Sequence, residues 1–271
     1  MTSLKLNATY YLYKILPDGK KVLQNDIFAF FNDIAFENGT FRKCFKGIII
    51  DKNKRWVKTE DFPLGICVVK KYSNNITALA NFPDLFSPIV SGQCASDFNK
   101  LIKIPNKINF VYPYWSVDIL KKEISLIEPY LNGQFIKFSN NYGYENPDFS
   151  AYIPAFSHYS WIKYKGKMVI NDVQGIFKDS KYYLTDPAIQ SLESKFGGSD
   201  LGILGIIVFL ANHEHNNICQ NWKWIPKQFE PLLKFFKGKI IKRTTFRFEF
   251  GNNITKFNQL YLNLLKTVKF D

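Results

Sequence analysis

The sequence predicts an α+β protein with a β-rich N-terminal half, a mixed C-terminal half and a basic appendix. Three observations predict it. Short β-branched or aromatic runs bounded by Gly, Asp, Asn or Pro fill the first half and read as strands. One continuous apolar run, Ile203 to Ala211, reads as a buried helix in the second half. The last residues alternate and then recur at helical spacing.

Along the chain, KGIIID, VVKKY after the Gly-Ile-Cys turn, and KINFVY are the clearest strands. A helix is expected around Ser91 to Ile102. Tyr130 to Asn146 is rich in Asn, Gly and Tyr and reads as loop and turn. Lys167 to Asp172 (KMVIND) reads as a strand ending on an acidic residue. Asp200 to Asn212 reads as a helix with an acidic start. Phe246, Phe248 and Phe250 alternate as in a strand, the chain turns at Gly-Asn-Asn, and Phe257, Leu260, Leu264 and Val268 then follow a helical period. No internal repeat is visible.

The 271 residues are 46% hydrophobic and 22% charged, enough apolar content for a core and too much for a disordered chain. The apolar run at 203–211 is about half of what a bilayer span needs. MTSLKLNATYYLYK has no continuous apolar stretch of the secretory kind. Cys44, Cys67, Cys94 and Cys219 are scattered and do not form a disulfide framework, so the expected setting is reducing, intracellular and cytoplasmic. The net charge of +13 favours anionic partners: nucleotide, phosphate, nucleic acid or a membrane surface. From Pro226 to Asp271 there are ten Lys/Arg and three Asp/Glu, so half of the excess sits in the last sixth of the chain.

Four groups of residues bear chemistry. All three histidines belong to the first: His158 in AFSHYS, and His213 and His215 in HEHNNIC, which ends on Cys219. Imidazole and thiolate together suit Zn²⁺, and four protein ligands would make the site structural. The plain alternative is a polar helix end with capping histidines and a free thiol. The second group is Asp172 and Gln174, two apart on an extended segment and so pointing the same way, followed by Asp186 in Leu-Thr-Asp-Pro. Such oxygen donors suit a Mg²⁺–phosphate centre, although turn-forming polar residues read the same way. The third is the glycine loop, Phe196 to Gly202, whose amides suit an anion at a helix start or simply a tight turn; it is not a Walker A loop. The last is Lys70 inside the β-branched VVKKY. It reads either as a phosphate-holding lysine of the kinase type or as a lysine protecting a sheet edge.

In this order, the motifs resemble the atypical alpha-kinase family from about Phe36 to Trp222. Phe36 to Arg42 resembles F-x-x-G-x-x-R, VVKKY resembles V-A-K-[RK]-Y, and FPDL with Asp84 resembles the acidic stretch that follows. Ala95 to Asn99 resembles A-x-x-F-N. Glu128 to Lys137, then Asn141 to Gly143, resembles E-x-Y-I-x-G-x-[FY]-x-K and N-x-G. AFSH, DVQG, LTDP, FGGSDLG and HEHNNIC follow in family order. Ser199 and Asp200 depart from the family loop G-x-[GA]-N-L-G, His215 stands where the zinc block has its middle cysteine, and the segment from DVQG to TDP is longer than usual.

The resemblance implies a two-lobed, protein-kinase-like fold, with a β-rich N-lobe at about 1–127 and a zinc-stabilised mixed C-lobe at about 128–225. Residues 226–271 would form a basic aromatic extension packed on the C-lobe. It implies an ATP- and Mg²⁺-dependent serine/threonine protein kinase. Lys70 would contact the α/β-phosphates, and Glu128 and the Tyr130 backbone the adenine. Gln174 and Asp186 would hold Mg²⁺, and Asp172 would be the catalytic acid/base. Arg42 and Asp84 would join the phosphate-side network, and His158, His213, His215 and Cys219 would hold structural zinc. Lys70 and Asp172 are expected to leave the core intact when replaced. A protein substrate is the implied partner, with acidic character to suit the tail; neither an obligatory nucleic acid nor a membrane span is implied. Phosphorylation of a small molecule or ATP hydrolysis is the alternative enzyme reading. A zinc-stabilised basic nucleic-acid-binding module is the alternative outside enzymes.

Overall fold

The computed structural model describes residues 6–8, 12–16, 18, 20–24, 26–39, 42–72, 86–103, 106–118, 123–149, 151–238 and 254–270. The strands among them are β1 (Leu6–Ala8), β2 (Leu12–Ile15), β3 (Lys21–Gln24), β4 (Ile27–Asn38), β5 (Arg42–Asp51), β6 (Ile66–Tyr72) and β7 (Lys107–Phe110). They continue with β8 (Tyr114–Asp118), β9 (Glu123–Pro129), β10 (Phe135–Lys137), β11 (Met168–Asn171), β12 (Gln174–Lys178), β13 (Lys181–Thr185) and β14 (Ala188–Ser191). The helices are α1 (Ser87–Ile102), α2 (Tyr152–Lys163), α3 (Ile203–Asn212), α4 (Glu230–Phe236) and α5 (Ile254–Thr267). The chain divides into two compact units, residues 1–92 with 110–132, and residues 93–109 with 133–271.

The first unit is built on an eight-stranded sheet in the order β1-β4-β5-β6-β9-β8-β2-β3. Alternation sets its faces: in β5, Phe45, Gly47 and Ile49 are buried while Lys46 and Ile48 between them are exposed. The inward residues meet Leu12, Phe31, Phe62, Val69, Tyr114 and Ile127 in one core. β6 lies between β5 and β9, so Lys70 is on an interior strand, and the reading of an edge lysine is overturned.

The second unit carries a four-stranded sheet, β10-β12-β13-β7, and the pair β11-β14. Its core forms around α3, where every residue from Ile203 to Ala211 is buried. An apolar helix without a polar face is stable only when neighbours cover it on all sides. Trp161, Val169, Leu232, Phe236, Tyr261 and Leu264 do so. α5 supplies Tyr261 and Leu264, with Phe257, Leu260 and Val268 packed beside them. Inside this core the Trp161 indole N–H donates to the Tyr261 hydroxyl at 2.8 Å, and that hydroxyl donates to the Gly166 carbonyl at 2.6 Å.

Several expected bounds change. The strand expected over Lys167–Asp172 is β11, which ends at Asn171, so Asp172 lies past it on left-handed backbone and not on one extended segment with Gln174. α3 begins at Ile203, because Gly202 takes a positive φ of 71° just before it and Asp200 lies outside the helix. α1 starts four residues earlier than expected, at Ser87. The segment expected to be all loop contains β10, which pairs with β12. The expected strand at Phe246–Phe250 lies outside the described residues. No helix among the described residues is long and apolar enough to cross a membrane.

Candidate active site and metal centre

In the first unit, Lys70 of β6 and Glu128 of β9 lie on one face of the sheet, offset by one diagonal: Val68 opposes Glu128 and Lys70 opposes Leu126. The Lys70 ammonium meets a Glu128 carboxylate oxygen at 2.7 Å, with side chains only 6% and 4% exposed. The expectation that Lys70 stands apart from the core is corrected: its ammonium is buried against a buried carboxylate, so its removal takes away that carboxylate's opposite charge. Glu128, expected at adenine, is engaged with Lys70. The Tyr130 N–H donates to the Ile66 carbonyl at 3.0 Å, which commits that group to the sheet. Arg42 opens β5 opposite Tyr72, with its guanidinium 5.2 Å from the ring centroid. Asp84 lies outside the described residues.

In the second unit, the turn after β11 delivers Asp172, and β12 begins two residues later at Gln174. Gln174 pairs with Thr185, so Asp186 arrives beside it at the end of β13. Asp172 and Asp186 both take left-handed backbone, at φ 52° and 50°, a conformation that costs a non-glycine residue free energy and gathers at functional sites. Gly175 permits the close pairing, because a Cβ there would run into the Tyr183 carbonyl. Burial lifts the Asp172 carboxyl above its ordinary value; Lys137 pulls it back down, and the charge of Asp186 adds to the rise. The Lys137 ammonium, at the end of β10, is 2.8 Å from Asp172. In the sequence Lys137 is only the last residue of the Glu128–Lys137 motif, and nothing there pairs it with Asp172.

The glycine loop is held by Asp200. One carboxylate oxygen accepts the N–H groups of Ser191 and Gly202, each at 2.9 Å. The other accepts the Ser191 hydroxyl at 2.6 Å and the Phe196 N–H at 3.1 Å. Asp200 is thus a latch between β14 and the loop, where the sequence reads it as the acidic start of the helix itself.

His158 on α2, His213 at the end of α3, His215 and Cys219 offer one ligand atom each, all within 4.8 Å of one another. Bonds of zinc length imply ligand separations of about 3.3–3.8 Å, so the four need only a small contraction to enclose an ion. The donor set fits zinc in three further ways. The His158 Nε2 is bonded to the Lys223 carbonyl at 2.9 Å, and its Nδ1 is buried without a hydrogen-bond partner. Burial, with the charge of the neighbouring histidines, drives His158 and His213 down to about 3, so both are neutral imidazoles able to bind metal. The Asn216 N–H points at the Cys219 sulfur at 3.5 Å, a dipole that favours thiolate, while burial and, less, the charge of Glu145 push the thiol up. Behind His213 lies Glu145, which burial and the charge of Glu214 raise to about 7 when no cation is bound; a zinc ion beyond His213 would draw it back toward the carboxylate.

Alpha-protein kinase vwkA of Dictyostelium discoideum is 30% identical over 166 residues, 56% of this chain and 26% of that protein. Eukaryotic elongation factor 2 kinase of Mus musculus is 25% identical over 205 residues, 72% of this chain and 27% of that protein. The chain thus spans about a quarter of the length of these relatives. An alpha kinase from Entamoeba histolytica superposes with a TM-score of 0.63 at 24% identity, over 80% of this chain and 90% of that one, a likeness that shows the fold. The profile of the Alpha-kinase family matches residues 37–219, which take in Lys70, the Asp172–Gln174–Asp186 group and all four clustered His and Cys residues, and the chain belongs to that family.

Proposed function

We propose that the chain is an ATP-dependent protein kinase that transfers the γ-phosphate to a serine or threonine hydroxyl of a protein. The observation that carries this reading is the gathering of Asp172, Gln174 and Asp186 where β12 meets β13, with Lys137 paired to Asp172. Phosphoryl transfer asks a protein mainly for positioning and charge neutralisation, and these groups offer both.

Lys70 holds the α/β-phosphates, and Glu128 aims it. Contact with adenine is left to the backbone after β9, with Tyr130 contributing through its carbonyl. Arg42 and, from the resemblance, Asp84 act on the phosphate side. Gln174 and Asp186 offer oxygen donors, the type Mg²⁺ takes, and a bound Mg²⁺ would neutralise phosphate charge. Asp172 accepts the proton of the attacking hydroxyl at its carboxylate, and its raised pKa makes it a better base than an ordinary aspartate. Lys137 fixes that carboxylate and balances its charge. His158, His213, His215 and Cys219 hold a structural Zn²⁺ that ties α2 to the segment after α3. Four free cysteines suit a reducing, intracellular setting.

The test uses the full chain with ATP labelled at the γ-phosphate, Mg²⁺ and a mixture of protein acceptors. Label is expected on serine or threonine and to disappear with Asp172→Asn. Label appearing only as inorganic phosphate would turn the reading to ATP hydrolysis.

A further inference from the structure

Each imidazole of the metal cluster has two nitrogens, and an oxygen stands behind every ring. The His158 Nε2 is bonded to the Lys223 carbonyl, and the His215 Nδ1 lies 3.3 Å from the Cys219 carbonyl. His213 is different. Its Nε2 lies 3.5 Å from the Cys219 sulfur, which turns that nitrogen into the cluster. Its Nδ1 is buried without a hydrogen-bond partner, and the nearest charged oxygen is that of Glu145 at 3.6 Å. The His213 side chain is fully buried, and that of Glu145 is 23% exposed. A backbone bridge from Ser139 to Glu145 fixes the main chain from which the carboxylate projects. Glu214, the neighbour in sequence, does not serve: its side chain is 82% exposed and lies 4.0 Å from Lys237.

The charge balance gives this carboxylate a purpose. Three neutral imidazoles and one thiolate around Zn²⁺ leave a buried net positive charge. An outer carboxylate on a ligand histidine orients the ring, fixes its tautomer and raises its basicity. We propose that Glu145 is the outer-shell carboxylate of the zinc centre: it accepts the Nδ1 proton of His213, holds Nε2 toward the metal and supplies the negative charge that a single thiolate leaves missing. The proposal rests on the zinc reading of the four-residue cluster.

The experiment measures zinc affinity of the full chain by competition with a chromophoric chelator at neutral pH, with bound zinc counted by elemental analysis. Glu145→Gln is expected to bind zinc roughly 10–100-fold more weakly than the parent, with unchanged stoichiometry at saturation. Glu145→Asp, which keeps the charge and withdraws it, is expected between the two. His215→Cys adds a second thiolate, so in that background Glu145→Gln is expected to cost about threefold or less. Parent-like affinity in Glu145→Gln, or the same loss in both backgrounds, overturns the role of Glu145 while leaving the zinc site standing. A parent protein that binds no zinc overturns the zinc reading and this proposal together.

Discussion

Replacing Asp200 by asparagine keeps the size of the side chain and removes half of its acceptors. The residue is 7% exposed, and its carboxylate receives four donors: the Ser191 N–H and hydroxyl, the Phe196 N–H and the Gly202 N–H. An amide oxygen can take two of these, and its NH₂ then faces the other two donors. Hydrogen bonds to a charged acceptor are worth about 1.5–3 kcal/mol each, so losing two gives about 3–6 kcal/mol. Relaxation of the loop toward water keeps the realised cost near the lower end, about 3 kcal/mol. For a chain of this size, each kcal/mol moves Tm by about 2–4 °C, so a fall of roughly 6–12 °C is expected. Calorimetry at neutral pH measures it. Ser191→Ala removes one donor, and in the Asp200→Asn background it should cost less than alone, because its partner is already compromised. A Tm within about 2 °C of the parent would show that the four bonds do not hold the loop.

Tyr261→Phe should strand the Trp161 N–H and the Gly166 carbonyl and cost about 2–4 kcal/mol, with faster amide exchange in α5 as its signature. Lys70→Met should cost about 3–5 kcal/mol in urea titrations because it takes the ammonium away from a buried carboxylate, and Lys70→Met/Glu128→Gln should recover most of the stability without recovering ATP binding. Asp172 works deprotonated and its carboxyl is raised, so kcat/KM should fall with decreasing pH at a value above the ordinary 3.8. Lys137→Met removes an opposing pull and should move that limb to higher pH; an unmoved limb would separate Lys137 from the base. The same sign governs folding: the native state takes up this proton before the unfolded chain does, so at this site lowering the pH from the raised value toward 3.8 favours the fold. Chelation should remove one zinc per chain and lower Tm, and an unchanged Tm on metal removal would deny the ion a structural role.

β6 was legible because Val, Val and Tyr form a β-branched and aromatic run with a turn before it, and only an interior position explains its buried lysine. α3 was legible from its apolar length, but its start was not, since a short acceptor side chain ahead of a helix serves a cap and a loop latch equally well. α2 left no signal. YIPAFSHYSWIK is buried on nearly every side, so no apolar stripe repeats at 3.6 residues. The chemistry-bearing residues stood out where they cluster in sequence, as in DVQG and HEHNNIC. The pairs Lys137–Asp172 and Glu145–His213 join distant segments, so nothing local announces them.

The buried bond between Trp161 and Tyr261 joins residues 100 positions apart. At about 5–20 residues per second, a ribosome needs roughly 5–20 s to travel from one to the other. For about the second half of that interval, once residue 212 has been made, the side of α3 later covered by Tyr261 and Leu264 has no cover from them. The second unit cannot finish its core as its helices emerge in turn; it waits for the last of them. A nascent chain stalled before α5 is therefore expected to present that apolar surface to chaperones or to aggregation.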